Sequence, residues 1–286
     1  MIKIRKKLTA FRPKVFSRHP SHSNLRSELP LYKFRSVIRL GSTTSGAIFK
    51  PVVEINPIKA IENSANKLLM KECFNLANVP TAKWYTCLSV EPTAMFLDKQ
   101  SNVTVSIENL EYPILSKHIH GSRGTGNVKH DKPQDLQNWL EGKNLNNYIF
   151  EKYYTYSREY RLHVTNEGCF YTCRKMLKNG TPENKRFQRH DDNCVWILQD
   201  NDLFDRPVNF DDIIDNCVKA LNTLGLDIGA FDVKVQSATN SKGKTRTSCE
   251  YIIIESCSAP SFGELTYKHY LQQLTTLIIK KWKETH

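Results

Sequence analysis

Three sets of polar residues interrupt stretches that otherwise read as apolar strands, and each has the residue types of a chemical site. The first lies in YPILSKHIHGSRGTGNVKH (112–130), where Lys117 ends an apolar run and Gly121, Gly124 and Gly126 surround Arg123. Glycines so spaced let backbone come close to a ligand, often a phosphate. The stretch is not a P-loop, because no Lys-Ser/Thr pair follows the last glycine. Nor does it read Gly-x-Gly-x-x-Gly opening straight into a helix. A solvated Arg123 on an ordinary turn is the plain alternative. The second set, Glu159, Arg161, Arg174 and Lys175, falls on two strands expected to pair. The third is Asp232 and Glu255, on the neighbouring strands GAFDVKV and YIIIES. One carboxylate on a strand reads most simply as solvent-facing. Two on adjacent strands favour a hard cation, and magnesium takes one or two carboxylates together with phosphate oxygens. A lysine, a glycine-rich flap and two such acids together point to a nucleoside triphosphate.

The elements that must carry these residues follow from periodicity. FRSVIRLGSTT (34–44) reads as a strand breaking into a glycine-serine turn. Over 58–77, Ile61, Ala65, Leu68, Leu69, Cys73, Phe74 and Ala77 recur at helical spacing. They predict one helix, capped at Asn63 or Ser64 and closed by Pro80. Strand-like segments follow at 83–90 and 102–107, and Asp131 with Pro133 starts a helix whose Leu136, Trp139 and Leu140 face a core. YIFEKYY (148–154) is a further strand. In REYRLHV (158–164), alternation puts Glu159, Arg161 and His163 on one face and Tyr160, Leu162 and Val164 on the other. An Asn166-Glu167-Gly168 turn returns the chain as CFYTCRKML. Residues 211–224 form an amphipathic helix stopped by Gly225. Alternation places Asp232 with Lys234, and Glu255 with Ile253 and Tyr251. A last helix covers roughly 264–282. The order is mixed α+β, with meandering strands rather than strict βαβ units.

Composition bounds the partners. The 286 residues carry a formal charge of +12, unevenly spread. Residues 1–26 hold eight Lys/Arg and no acid, which leaves 33 of the 41 bases against 29 acids in the rest. The basic arm has three readings: a solvated tail, a contact with nucleic acid or another polyanion, or an organelle transit peptide. No apolar segment of a secretory signal follows its charges, and no apolar run of 18 residues exists to span a membrane. Eight scattered cysteines form no Cys-x-x-Cys pair, so reduced, packed thiols in the cytoplasm are expected rather than zinc or disulfides.

Five segments in order resemble the ATP-grasp superfamily over about residues 60–270. NKLLMKECFNLANVPTAKWYT (66–86) resembles its opening segment, a helix with an early lysine and then a Val-Pro-Thr strand. YPILSKHIHGSRGTG resembles its lysine strand and glycine-rich flap, and YIFEKYYTYSREYRLHV its hinge and following arginine strand. GAFDVKV and IIIESCSAP resemble its two metal-binding strands. The style is most similar to short predicted ATP-grasp ligases of DNA phages and large viruses, which would place the protein in a host cytoplasm. The resemblance implies an α+β ATP-grasp fold of two subdomains clasping ATP. Residues 1–30 would be the arm, 31–85 a pre-ATP-grasp region, 86–147 the lid subdomain and 148–286 the C-terminal subdomain with hinge and metal site.

The same resemblance implies roles. Lys117 would contact the phosphates and the adenine edge, with Gly121, Ser122, Arg123, Gly124 and Gly126 folding over the phosphates. Glu151, Lys152, Tyr153 and Tyr154 would form the hinge and Glu159 would meet the ribose. Arg161, Arg174 and Lys175 would be catalytic, with the arginines on the transferred phosphoryl group and the substrate carboxylate. Asp232 and Glu255 would hold Mg2+, or Mn2+. The family's third ligand is an asparagine two residues after the glutamate, where this chain has Cys257, a soft and poor partner for magnesium. The activity implied is that of an ATP-dependent carboxylate–amine ligase working through an acyl phosphate. A phosphotransferase acting on a hydroxyl is the alternative on the same fold. A basic nucleic-acid-binding protein on a degenerate scaffold is the non-enzymatic one.

Overall fold

The computed structural model describes residues 14–17, 19–45, 51–121, 124, 126–186 and 193–286. Ser122, Arg123 and residues 1–13 of the basic arm lie outside the described residues. The first sheet comes from β1 (Lys14–Ser17), then, after α1 (Leu25–Glu28), β2 (Ser36–Leu40) and β3 (Val53–Ile55), all parallel in the order β1-β2-β3. Parallel neighbours need crossovers, and the apolar residues of the one between β1 and β2, Leu25, Leu29, Leu31 and Phe34, join Ile38 and Ile55 in one core.

The single helix expected over 58–77 is two. α2 (Ile58–Ala65) and α3 (Lys67–Leu76) meet at Asn66, which is extended and whose side-chain oxygen accepts from the N–H groups of Leu68 and Leu69. The cap is therefore Asn66 rather than Asn63 or Ser64. A one-residue break leaves the apolar spacing nearly in phase, so periodicity does not reveal it.

The second sheet is antiparallel: β4 (Trp84–Ser89), β5 (Met95–Asp98), β6 (Val103–Ser106), β7 (Ile114–His118), β8 (Val128–His130) and, after α4 (Pro133–Leu140), β9 (Tyr148–Lys152). Its order is β6-β5-β4-β9-β7-β8. Leu136 and Leu140 of α4 are buried against it beside Phe96 and Phe150, while Trp139 is half-buried. Lys132, not Asp131, occupies the position before α4, and no side chain caps it. The boundaries expected at 86 and 148 fall within β4 and at the start of β9, two strands that pair with each other.

The third sheet comprises β10 (Arg158–Thr165), β11 (Gly168–Leu177), β12 (Cys194–Leu198) and, after α5 (Phe210–Leu224), β13 (Ile228–Val235) and β14 (Tyr251–Cys257). Its order is β12-β11-β10-β13-β14, antiparallel throughout. Tyr160, Leu162, Val233 and Ile253 on one face meet Phe74 of α3 and Ile213, Cys217 and Leu221 of α5. Removing a ring such as that of Phe74 from this core would cost about 3–5 kcal/mol. A final helix, α6 (Glu264–Glu284), packs Tyr270, Leu274, Leu277 and Ile278 into the core of the first sheet. Among the described residues no helix is long and apolar enough to cross a membrane.

Candidate active site

The face of the third sheet turned away from α5 carries charge in two cross-strand rows. In the first, Lys175 of β11 lies opposite Glu159 of β10, which lies opposite Lys234 of β13. In the second, Arg161 of β10 lies opposite Asp232 of β13, which lies opposite Glu255 of β14. Period-two alternation aims both rows the same way. The last pairing depends on a bulge between Asp232 and Val233. Ile253 lies opposite Val233 in the apolar core, whereas Glu255 lies opposite Asp232, leaving Ile254 as the extra residue. Glu255 therefore does not share a face with Ile253 and Tyr251, as strict alternation predicts. The bulge reverses the phase and brings it beside Asp232.

Opposite charges in these rows are closely paired. Arg161 donates to both Asp232 oxygens, at 2.7 Å and 2.9 Å, and Lys175 donates to the same carboxylate at 2.6 Å. Lys175 also stands 3.1 Å from Glu159. Burial would raise the Asp232 carboxyl, but Arg161 and Lys175 outweigh it and hold it well below the usual carboxylate range. The ring of Trp196 on β12 covers this pair, 5.1 Å from Arg161 and 5.4 Å from Lys175.

The second sheet and α3 supply the facing wall. Lys117 of β7 donates to Glu151 of β9 at 2.6 Å, and Lys71 of α3 stands 3.1 Å from the other oxygen of that carboxylate. Burial opposes ionisation of Glu151, yet Lys117 and Lys71 hold its carboxyl down to about 2. Lys67, one turn before Lys71, donates to the Gly121 carbonyl and stands 3.5 Å from Glu255. The loop after β7 is fastened at its foot: Lys67 N–H donates to Ile119 O, and Ile119 N–H to Asn147 O, both at 2.9 Å. Within it Gly124 and Gly126 have φ of +72° and +78°, which side chains resist.

Between the walls runs a cleft of about 670 Å3. Among the described residues six bases line it, Lys67, Lys117, Lys152, Arg161, Lys175 and Lys234, against four acids, Glu151, Glu159, Asp232 and Glu255. The surplus of positive charge favours an anion. Asp232 and Glu255 are hard donors directly across two strands, which fits a cation that takes its other ligands from phosphate oxygens. Among the described residues no group of three or more His, Cys, Asp and Glu could hold a metal without such help.

No protein-family model matches this sequence, and no curated protein is significantly similar to it. Among solved structures, the ATP-grasp ligase PsnB, in complex with a minimal precursor, matches with a TM-score of 0.50 over 80% of this chain, at 15% identity. The chain has an ATP-grasp fold. It spans 64% of the PsnB chain, less than two thirds of that length. D-alanine–D-alanine ligase from Bacillus anthracis matches with a TM-score of 0.49 over 80% of this chain and 69% of its own, at 11% identity.

On this ATP-grasp fold, Lys117, Gly124, Glu151, Lys152, Tyr153 and Tyr154 line the cleft, as do Glu159, Arg161, Lys175, Asp232, Glu255 and Cys257. The N–H groups of Lys152 and Tyr153 are committed to the carbonyls of Lys83 and Pro113. Gly121 forms the loop foot, where it holds Lys67. A Cβ on Gly126 would fall 3.5 Å from that of His118. Arg174 does not join the cluster. It lies opposite Tyr160 on the α5 side and donates to Leu203 O at 2.7 Å, because neighbours on one strand face opposite ways. Arg174 and Lys175 cannot both serve one site. Burial pushes the Cys257 thiol up although Arg161 opposes it, so a reactive thiolate is disfavoured there.

Lys71, Lys234 and Trp196 were not singled out, and Lys67 entered only as the early lysine of the opening segment. Nothing in the spacing of α3 separates Lys71 from a solvated lysine. Lys234 shares a strand face with Asp232, and that pairing was the available signal. Trp196 gave none, because its place over Arg161 comes from three strands meeting.

Proposed function

We propose that the protein is an ATP-dependent carboxylate–amine ligase. The observation that carries this reading is the basic cleft with two opposed carboxylates, set between the two sheets of an ATP-grasp fold. ATP would lie with its phosphates among Lys67, Lys117 and Arg161 and its base toward Glu151 to Tyr154. Asp232 and Glu255 would hold Mg2+, which when bound neutralises phosphate charge. A substrate carboxylate oxygen attacks the γ-phosphorus, ADP leaves, and an acyl phosphate forms. An amine then attacks the acyl carbon, phosphate leaves, and the amine nitrogen loses a proton as the C–N bond closes. Arg161 stabilises charge on the transferred group, and most of the rate enhancement is positioning and electrostatics.

The acid and the amine can be found by measuring ADP and phosphate release from ATP across a panel of amino acids, peptides and amine acceptors. The reading predicts equal amounts of ADP and free phosphate only when both substrates are present. ADP formed with the phosphate retained on a hydroxyl substrate would make the protein a phosphotransferase instead. No turnover with any acid and amine pair would contradict the ligase reading.

A further inference from the structure

Lys71 is fully buried, a rare place for an ammonium group. Its Nζ donates to Thr81 Oγ1 at 2.5 Å and stands 3.1 Å from Glu151. Glu151, itself buried, puts its other oxygen 2.6 Å from Lys117. The carboxylate thus sits between two ammonium groups, one facing the cleft and one behind it. Thr81 passes a hydrogen bond on to the Ile253 carbonyl of β14 at 2.9 Å. One buried lysine therefore ties α3 to β9 and, through Thr81, to β14, where the two walls of the cleft meet.

Burying an ion pair gives little stability over apolar packing of the same volume, so stability alone is a weak reason for a lysine here. Its effect on Lys117 is a better one. Were Glu151 to face Lys117 alone, the two charges would cancel, and an anion beside Lys117 would gain no net charge from that pair. Shared between two lysines, Glu151 leaves a surplus of one positive charge. We propose that Lys71 is a positioning residue for nucleotide binding: it anchors Glu151 from behind, so that Lys117 is held at the cleft wall with its charge only partly neutralised. Burial also draws the Lys71 ammonium down to about 8, with Glu151 opposing and Lys117 reinforcing. The charged groups that face it are Glu151 on β9, Lys117 on β7 and Glu255 on β14.

This inference rests on the nucleotide reading of the cleft, and its test separates the two. Magnesium ADP is titrated calorimetrically into the full chain: wild type, Lys71→Met, Lys71→Arg and Lys71→Met/Glu151→Gln. The positioning role predicts at least tenfold weaker binding in Lys71→Met, near wild-type binding in Lys71→Arg, and recovery of part of the loss in the double variant. Unchanged affinity in a folded Lys71→Met, with only a lower melting temperature, would overturn it. If Lys71→Met does not fold, Lys71→Gln takes its place, keeping a donor toward Thr81 without the charge behind Glu151. The same tenfold weakening is expected, and unchanged affinity would overturn the role. A wild type that binds no magnesium ADP overturns the nucleotide reading, and the positioning role with it.

Discussion

At the scale of residues, Asp232 and Glu255 face each other across two strands but differ in how they are held. Both Asp232 oxygens are engaged by Arg161 and Lys175, whereas the Glu255 side chain is 42% exposed and has Lys67 at 3.5 Å. The two substitutions should therefore separate. Glu255→Gln is expected to lower magnesium-dependent ATP turnover at least 100-fold with little change in melting temperature. Asp232→Asn should lose turnover and also destabilise the fold by about 3–5 kcal/mol, because it takes the carboxylate from half-buried Arg161 and leaves buried Lys175 with Glu159 as its remaining acid. Steady-state kinetics and denaturant unfolding of both variants check this. Near wild-type turnover in either folded variant would remove the metal assignment. Cys257 supplies no hard donor, so Cys257→Asn should leave activity equal or higher and Cys257→Ala should change it little. Collapse of activity in a folded Cys257→Ala would show that the thiol takes part in the chemistry.

At the scale of elements, the site depends on how strand and helix ends are pinned. Gly41, at the end of β2, has a φ of +72°, and a Cβ there would fall 2.6 Å from that of Ala259 in the loop that lines the cleft after β14. Gly41→Ala should destabilise the fold by about 1–3 kcal/mol through strain and the displaced loop, measured by denaturant unfolding. Unchanged stability would mean that this contact is loose. The pairing of β10 with β11, the strands bearing Asp232 and Glu255, and the helix stopped at Gly225 were all legible, because each follows from local periodicity and turn residues. What was not legible came from phase. The bulge at Ile254 turned Glu255 over, and Asn66 split a helix without disturbing its apolar spacing. Arg174 was legible, because alternation already sets it opposite to Lys175, and the resemblance overrode that signal. Lys71 was hidden for another reason: a buried lysine has the pattern of a solvated one until its partner, 80 residues further on in β9, is placed beside it.

At the scale of the molecule, three sheets share buried polar groups as well as cores, and acid should expose this. Burial lowers His163 to about 3, with Arg161 reinforcing, and lowers His22 to about 4 although the Pro260 carbonyl opposes it. Both stay neutral in the folded chain while the unfolded chain protonates near pH 6.5. Unfolding therefore takes up protons below that pH, and stability falls as pH drops from about 6.5 toward 4. The slope should approach two protons, about 2.5 kcal/mol per pH unit, with His130 adding in the same direction. Unfolding free energies at pH 7, 6 and 5 test this, and a flat profile would contradict it. The central claim is that the basic cleft between the second and third sheets is a nucleotide site. Calorimetric titration of a non-hydrolysable ATP analogue, with magnesium, into wild type and Lys117→Ala tests it most directly. Saturable binding of one nucleotide per chain is expected, at least tenfold weaker in Lys117→Ala at nearly unchanged melting temperature. No binding to wild type, or equal affinity in the two proteins, would contradict it.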